Sequence, residues 1–304
     1  MSNSKESRPN LFFSGHTACA GCGQAIAARL VVEAAGPNTI IANNTGCLEV
    51  FTTTYPQTAW GIPWIHSLFE NAGAVASGIE AALRFLGKKE SINVIAQAGD
   101  GGTADIGLQA LSGMWERGQD VLSICYDNEA YENTGIQRSG LTPYGTNTTT
   151  TPPGTKSVGN IRYKKPMPEI ALAHGIPYVA TASAAYPLDI QKKVKKAISI
   201  KGPKYLQIHV PCPLGWRHEG NMTKNVAQLA VETGLYPLIE YENGKLTNVF
   251  KIKPKPVEEY LKTQGRFSHL LSSPEQIKLI QEIADRNIEK YGLSEDITYG
   301  AKRP

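Results

Sequence analysis

A short turn, Gly99-Asp100-Gly101-Gly102, combines three glycines with one acidic side chain. It follows the apolar run Ser91–Ala98, which is typical of a buried strand, and it precedes residues with helical spacing. Glycines allow a backbone to approach a diphosphate closely, and the start of a helix favours phosphate groups. Because a carboxylate repels phosphate, Asp100 fits such a turn best when a divalent cation binds both. The turn therefore indicates a metal–diphosphate site.

A second turn could supply the further oxygen ligands that such a cation needs. Asn128 follows the apolar strand Val121–Tyr126, one β-α-β step after Asp100, and so lies at the same edge of a parallel sheet. Its amide oxygen and a following backbone carbonyl could complete the cation's ligands. Taken alone, the glycine turn is equally compatible with an ordinary tight turn, because short glycine motifs are common. The two turns together favour the metal–diphosphate interpretation.

The five cysteines offer a second kind of chemistry. Cys19 and Cys22 form a C-x₂-C pair, Cys47 and Cys212 each follow a predicted strand directly, and Cys125 lies inside an apolar strand. The pair alone is compatible with a redox dithiol, with half of a zinc site or with half of an iron–sulfur site. A buried Cys125 would act as a small hydrophobic side chain. An iron–sulfur cluster needs four thiolates, which can be far apart in the sequence.

The elements that position these residues alternate between strands and helices. The predicted strands are Thr39–Ala42, Ser91–Ala98, Val121–Tyr126, Tyr178–Thr181 and Tyr205–Val210. The predicted helices are Ala20–Ala35, Asn71–Leu86, Ala104–Arg117, Pro168–His174 and Pro187–Ile200. This alternation predicts an α/β fold, in which a mostly parallel, doubly wound sheet is covered by helices on both faces.

The pattern divides the chain into three parts. Residues 1–15 are predicted to be an N-terminal arm, residues 16–215 the cofactor-binding domain, and residues 216–304 a C-terminal extension for subunit contacts. Within the extension, Asn243-Gly244 is a hairpin signal, and Pro256–Lys262 and Pro274–Tyr291 are predicted to be exposed helices.

Composition narrows the class of protein. The chain has 304 residues, 41% of them hydrophobic and 19% charged, with a net charge of +4, which is typical of a globular protein and gives no reason to expect nucleic acid as a partner. No apolar run reaches the ~18–20 residues of a membrane span, and the first residues lack the apolar core of a signal peptide. We therefore expect a cytoplasmic protein whose cysteines are metal ligands or buried thiols.

Longer stretches carry a specific resemblance. The segments AGDGGTADIGLQALSGMWERG and YDNEAYENTGIQRSG closely resemble the β subunit of 2-oxoacid:ferredoxin oxidoreductases, most of all the pyruvate enzymes, and NNTGCLEV and WIHSLFENAGAVASGIEAAL match as well. The similarity runs from about Gly15 to at least Trp216. It implies the thiamine-diphosphate-binding fold with three cofactors: thiamine diphosphate, Mg²⁺ and one [4Fe–4S] cluster.

The resemblance also implies roles for individual residues. It makes Mg²⁺ ligands of the Asp100 carboxylate, the Asn128 amide oxygen and the Ala130 carbonyl. The residues that it places against the organic cofactor are Gly99, Gly101 and Gly102 at the diphosphate, Phe69 beside the rings, and Asn133 at the substrate and the reactive carbon. The residues that it assigns to the [4Fe–4S] cluster are Cys19, Cys22, Cys47 and Cys212.

The function implied is that of a catalytic β subunit. It would decarboxylate pyruvate oxidatively, with CoA as acyl acceptor, and electrons would pass through the nearby cluster to ferredoxin. Other subunits would complete the enzyme, and one of them would supply the glutamate that contacts the aminopyrimidine ring. Branched-chain 2-oxoacids or oxalate are alternative substrates. Oxalate would need no CoA and a more polar pocket, and Glu132 stands where the family often has an apolar residue. A non-redox thiamine decarboxylase or synthase, which needs no cysteine quartet, is a second alternative.

Overall fold

The computed structural model describes residues 10–295, and within them the chain forms one eight-stranded sheet. The strands are β1 Thr39–Asn43, β2 Trp64–His66, β3 Asn93–Gly99, β4 Leu122–Asp127, β5 Tyr178–Ser183, β6 Lys204–His209, β7 Ile239–Glu242 and β8 Lys245–Val249. Their order across the sheet is β2-β1-β3-β4-β6-β5-β7-β8. Strands β1 to β6 pair in parallel, and β7 and β8 are antiparallel additions beside β5.

Helices cover both faces of the sheet, which confirms the predicted α/β fold. The helices are α1 Gly23–Ala35, α2 Cys47–Thr52, α3 Ala72–Phe85, α4 Asp100–Ala104, α5 Leu108–Glu116, α6 Met167–Ala173, α7 Pro187–Ser199, α8 Pro213–Trp216, α9 Thr223–Glu232, α10 Val257–Leu261 and α11 Pro274–Tyr291. Short 3₁₀ helices lie at Lys89–Ser91, Gly220–Met222 and Gly265–Leu270.

Strand β4 is mostly apolar because helices cover the sheet on both sides of it. Leu122, Ile124 and Tyr126 belong to one core, on the face covered by α1 and α7, while Cys125 belongs to the core on the opposite face, covered by α3 and α5. Successive side chains of a strand point to opposite faces, so a strand that is covered on both sides has no polar face. Cys125 is fully buried, as predicted for a structural thiol.

Two local expectations need correction. The helix predicted over Ala104–Arg117 is two helices, and the glycine turn itself forms the first of them, α4. Strand β2, only three residues long, was not predicted. A short edge strand offers too few residues for an alternation pattern to be recognised.

The C-terminal part is more buried than predicted. The hairpin at Asn243-Gly244 is confirmed, and both residues have positive φ angles, 49° and 76°. The prediction that Pro256–Lys262 is an exposed helix is wrong, because Val257, Tyr260 and Leu261 are buried in a third core with Trp216. This core forms because β7 extends the sheet beside β5 and brings the later helices with it.

At the other end of the described chain, Leu11 and Phe12 are buried, and the Phe12 ring packs edge-on against Trp60 with 5.0 Å between ring centres. The remainder of the predicted N-terminal arm, residues 1–9, and residues 296–304 of the predicted extension lie outside the described residues. Within residues 10–295, no helix combines the length and the apolar character that crossing a membrane requires.

Candidate active site

One cavity of about 280 Å³ opens where β1, β3 and β4 end. Its position at the carboxyl edge of a parallel sheet is where α/β proteins bind ligands. Eight residues selected from the sequence line it: Phe69, Gly99, Asp100, Gly101, Gly102, Asn128, Ala130 and Asn133. The structure therefore brings together every residue that was expected to contact the organic cofactor or Mg²⁺.

Three oxygen atoms converge at the base of this cavity. The Asn128 amide oxygen lies 2.7 Å from Asp100 Oδ1 and 2.9 Å from the Ala130 carbonyl oxygen. Adjacent oxygen ligands around an octahedral Mg²⁺ ion stand about 3 Å apart, because each lies ~2.1 Å from the metal. If the amide turned its nitrogen to this point instead, it would donate hydrogen bonds to both oxygens. The donor set and its spacing fit a divalent cation.

The electrostatic environment of Asp100 is also compatible with a bound divalent cation. Burial raises the pKa of its carboxyl group well above the ordinary range, and the nearby Asp127 carboxylate raises the pKa further. The Ser139 hydroxyl donates a short hydrogen bond to the second oxygen, Oδ2, which leaves Oδ1 facing Asn128. A bound cation would stabilise the ionised carboxylate at this point.

Two of the three glycines of the turn, Gly101 and Gly102, are also required by packing. A Cβ atom at Gly101 would lie 2.2 Å from the Tyr131 ring, and one at Gly102 would lie 2.7 Å from the Asn44 side-chain nitrogen. Asn44 was not selected from the sequence, yet it donates to the Gly102 carbonyl at 3.2 Å and accepts from the Ala72 amide at 2.6 Å. It thereby ties the end of β1 to the turn and to the start of α3. The position of Asn44 directly after a strand was the signal in the sequence that could have identified it as a site residue.

A buried charge cluster fixes the loop that carries Asn128 and Ala130. Glu129, between them, has a positive φ of 67° and accepts hydrogen bonds from Lys164 Nζ at 2.7 Å and from an Arg266 nitrogen at 2.6 Å. Lys164 also pairs with Asp127 at 2.8 Å. Burial alone would raise the pKa of Glu129, but Lys164 and Arg266 outweigh it and lower the pKa to about 2.

Arg266 connects this loop to the residues around Cys212. Its guanidinium lies 3.6 Å from the centre of the Trp216 ring, and the Trp216 indole donates to the Asn128 carbonyl at 2.8 Å. Arg266 and Glu129 are far apart in the chain, so sequence patterns gave no signal for their contact. The pair acts as a support for the Asn128–Ala130 segment.

We expect Glu129→Gln to lower the free energy of unfolding by about 3 kcal/mol, because it removes the carboxylate that pairs with the buried Arg266 guanidinium and one of the two carboxylates that pair with Lys164. Denaturant unfolding of the purified full chain, followed by tryptophan fluorescence, measures this loss. Glu90→Gln is the matched control, since Glu90 pairs with Lys201 on the exposed surface. Equal losses in both variants would contradict the assigned role of Glu129.

The four cysteines predicted as cluster ligands also come together. Cys22 directly precedes α1, Cys47 begins α2, and Cys212 directly precedes α8. The loop of the C-x₂-C pair approaches the Cys212 loop so closely that a Cβ atom at Gly23 would lie 2.8 Å from the Pro211 carbonyl oxygen. The starts of α1 and α8 therefore meet, and Cys47, at the start of α2, lies within electrostatic reach of Cys22 and Cys212.

The pKa shifts of these thiols reflect their proximity. Burial raises the pKa of Cys47 to about 12, and the charges of Cys22, Glu132 and Cys19 add to the effect. The pKa of Cys212 is raised by burial, then by Glu132, Cys47 and Cys22. Ligation to iron would stabilise the thiolates. Cys125 has no comparable interaction with the four and lies on the far face of the sheet.

Four cysteine thiols are the donor set that a [4Fe–4S] cluster uses. Among residues 10–295, no three His, Cys, Asp or Glu side chains are spaced to hold one metal ion. In a [4Fe–4S] cluster each thiolate binds a different iron, so the sulfur atoms stand further apart than they do around one ion. The donor set, four cysteines at three converging helix starts, suits such a cluster.

Glu132 occupies the wall between the cavity and the thiols. Glu132 lines the cavity beside Asn133. Its carboxylate also packs against Gly215, three residues after Cys212, so closely that a Cβ atom at Gly215 would lie 1.8 Å from one carboxylate oxygen. Burial raises the pKa of Glu132 to about 7, although the positive charge of Arg266 lowers this pKa in part. Glu132 therefore faces both the cavity and Cys212.

Comparison with known proteins identifies the family. Residues 44–208 match the model of the thiamine pyrophosphate enzymes, C-terminal TPP binding domain. The pyruvate synthase subunit PorB of Methanosarcina barkeri is 55% identical over 294 residues, which make up 95% of this chain and 99% of the relative. The chain belongs to the β-subunit family of the 2-oxoacid:ferredoxin oxidoreductases. This confirms the resemblance, and the protein is a subunit of a thiamine-diphosphate-dependent enzyme.

Other members of the family show the range of this similarity. The PorB subunit of Methanocaldococcus jannaschii is 56% identical and covers 94% of this chain and 98% of its own length. A ketoisovalerate oxidoreductase subunit VorB of Pyrococcus abyssi is 51% identical and covers 89% of each chain. The fold matches that of a solved 2-oxoglutarate:ferredoxin oxidoreductase from Magnetococcus marinus, with a TM-score of 0.58, 19% identity and coverage of 97% and 94%.

Proposed function

We propose that this chain is the catalytic β subunit of a pyruvate synthase, a 2-oxoacid:ferredoxin oxidoreductase. The reaction converts pyruvate, CoA and two oxidised ferredoxins into acetyl-CoA, CO₂, a proton and two reduced ferredoxins. The observation that carries the proposal is the position of Cys47, which lines the cavity that contains Asp100 and interacts electrostatically with Cys19, Cys22 and Cys212. A cofactor in the cavity and a cluster at the thiols would thus be direct neighbours.

The geometry of the cavity supports the proposed cofactor contacts. Asp100, Asn128 and the Ala130 carbonyl would hold Mg²⁺, and the Gly99–Gly102 turn would receive the diphosphate. The Phe69 and Tyr131 rings, 5.8 Å apart, would contact the cofactor's rings. Thiamine diphosphate supplies an electron-accepting thiazolium, which allows a 2-oxoacid to lose CO₂.

The protein's own groups would orient the substrate and guide the electrons. Asn133 lies on the cavity wall with its side chain exposed, so its amide could hydrogen-bond a substrate carboxylate or carbonyl. Cys19, Cys22, Cys47 and Cys212 would hold a [4Fe–4S] cluster that accepts electrons one at a time. Such a carrier is needed because the oxidation releases two electrons, whereas ferredoxin takes one.

We also propose that other subunits complete the enzyme. Close relatives are named as subunits, and a partner subunit would supply the glutamate for the aminopyrimidine ring. Residues 216–304 are proposed to contact partner subunits, while residues 16–215 carry the cofactor sites. The edge strand β2, with Ile65 and nearby Leu68 exposed beside the cavity residue Phe69, offers a further surface for a partner.

A branched-chain 2-oxoacid is the second candidate substrate, because VorB of Pyrococcus abyssi is nearly as similar to this chain as the PorB subunits are. Oxalate is a third candidate, on the strength of the Glu132 carboxylate in the cavity wall.

A substrate panel on the anaerobically purified complex tests the proposal. Viologen reduction is measured with pyruvate, 2-oxoisovalerate, 2-oxoglutarate and oxalate, each with and without CoA. We expect pyruvate with CoA to give the highest kcat/KM, at least about tenfold above 2-oxoisovalerate, because two extra methyl groups of 2-oxoisovalerate must fit the pocket. A preference for 2-oxoisovalerate would overturn the pyruvate assignment, and CoA-independent turnover of oxalate would assign the third candidate.

A further inference from the structure

One wall of the active-site cavity is formed by Gln24, which lies in the first turn of α1. Gln24 is only 4% exposed, and it borders the cavity. Neither the proposed Mg²⁺ site nor the proposed cluster uses this side chain. It is therefore a polar part of the cavity wall without an assigned role.

The side-chain amide of Gln24 makes no hydrogen bond with any residue in 10–295. Its oxygen, Oε1, is fully enclosed without a partner, whereas the nitrogen, Nε2, is not enclosed in this way. A buried amide without partners lowers stability, so packing alone favours an apolar side chain at this position. A ligand in the cavity that accepts a hydrogen bond from Nε2 would give the amide a function.

Gln24 lies at the end of the cavity that borders the cysteines, which we call the thiol end. It is the second residue after Cys22, and Cys22 and Glu132 both interact electrostatically with Cys47. Cys47 and Glu132 line the cavity together with Gln24, and so does Asn133, which follows Glu132. A substrate that contacts Asn133 would therefore lie near the Gln24 amide.

The start of α1 is fixed in place, so that Gln24 cannot move away from the cavity. The Gly23 backbone N–H donates to the Pro211 carbonyl at 3.1 Å, and a Cβ atom at Gly23 would lie 2.8 Å from the same oxygen. Ala25, on the other side of Gln24, is buried in the core on this face of the sheet. A donor held on so rigid an element is preorganised to bind a substrate atom.

The charges at the thiol end favour the keto oxygen of a 2-oxoacid over its carboxylate as the acceptor. The Glu132 carboxyl group lies at this end, and cysteine thiolates bound in a cluster would add negative charge. A substrate carboxylate would be repelled there, whereas the keto oxygen is uncharged and accepts hydrogen bonds. Negative charge develops on that oxygen only when the carbonyl carbon is attacked, and a fixed N–H donor stabilises it then.

We propose that the Gln24 amide donates a hydrogen bond to the keto oxygen of the 2-oxoacid, which leaves Asn133 to contact the substrate carboxylate. This inference rests on the proposed function, because it requires a 2-oxoacid in the cavity. It makes Gln24 a substrate-binding residue that no sequence motif indicated.

Gln24→Leu tests the proposal, because leucine removes the amide and nearly preserves the volume of the side chain. We expect Q24L to lower kcat/KM for pyruvate in the anaerobic complex at least about tenfold, since a hydrogen bond to the developing charge is lost. Binding is measured separately with acetylphosphonate, a pyruvate analogue in which a phosphonate replaces the carboxylate. Its affinity for the complex loaded with thiamine diphosphate and Mg²⁺, measured by calorimetry, should fall at least about threefold.

Stability distinguishes this role from a structural one. Because Q24L removes an unpaired buried amide, we expect the denaturant midpoint of the purified full chain to stay the same or to rise. Iron content and thiamine diphosphate affinity of the complex should not change. Gln109→Leu, at an exposed glutamine of α5 outside the cavity, is the matched control and should alter neither kcat/KM nor the affinity for acetylphosphonate.

Wild-type kcat/KM and wild-type acetylphosphonate affinity in Q24L would overturn the role of Gln24 and leave the proposed function intact. A loss of stability or of iron that accompanies the loss of activity in Q24L would make Gln24 a structural residue and would also overturn the proposal. If the wild-type complex acts on none of the four 2-oxoacids, the proposed function itself is wrong, and the inference fails with it.

Discussion

Asp100→Asn is expected to weaken binding of thiamine diphosphate in the presence of Mg²⁺ by at least about a hundredfold. The substitution keeps the shape of the side chain and removes its charge. The Asp100 carboxylate is the anionic ligand among the three converging oxygen atoms. The other two, from the Asn128 amide and the Ala130 carbonyl, are neutral. Mg²⁺ is bound through few protein carboxylates, so the loss of one is not compensated by the remaining neutral ligands. Calorimetric titration of the anaerobic complex with thiamine diphosphate measures the affinity.

Asp120→Asn provides the control for this experiment. Asp120 is another buried carboxylate that adjoins β4, but it lies at the strand's opposite end, where it pairs with Lys89 and Lys204. We expect D120N to lower stability and to leave thiamine diphosphate affinity within about twofold of wild type. If D100N bound the cofactor as tightly as wild type does, the proposed Mg²⁺ site would be wrong.

Cys212→Ala is expected to remove the [4Fe–4S] cluster and with it viologen reduction, while thiamine diphosphate still binds. Cys212 is one of four thiols at the converging helix starts, and it does not line the cofactor cavity. A cluster held by three cysteines loses one iron's anchoring ligand and becomes labile. Iron content, the broad visible absorption band and cofactor affinity are measured on the same anaerobic sample.

Cys125→Ala is the matched control, because Cys125 is buried in the core on the other face of the sheet. We expect it to retain about four iron atoms per chain. Loss of the visible band in C125A together with its survival in C212A would show that the four ligands have been chosen wrongly.

The residues whose proximity could be predicted from the sequence are those that directly follow a strand of the sheet. Asp100 and Asn128 each follow a strand, and the carboxyl ends of parallel strands meet at one edge, so their proximity follows from the order of elements. The same logic places Cys47 there, after β1. The proximity of these residues could be predicted because the order of strands and helices determines which residues lie at the carboxyl edge of the sheet.

The supporting residues could not be predicted in this way. Glu129 meets Arg266 only because the C-terminal part folds back over the end of β4, and no local pattern records that return. The burial of Tyr260 was missed for the same reason. Gly101 was explained by diphosphate binding, yet the Tyr131 ring already fills the space of its missing side chain.

One measurement tests the central claim, that the cavity and the four thiols form one electron-transfer unit. The anaerobic complex is mixed with pyruvate in the absence of ferredoxin and viologen, and the cluster is followed by its visible absorption and its electron paramagnetic resonance signal. We expect pyruvate to bleach the band and to produce the signal of a reduced cluster in wild type, and to do neither in D100N or C212A. A wild-type complex that forms acetyl-CoA from pyruvate and CoA with no iron bound, or whose cluster stays oxidised during turnover, would contradict the account.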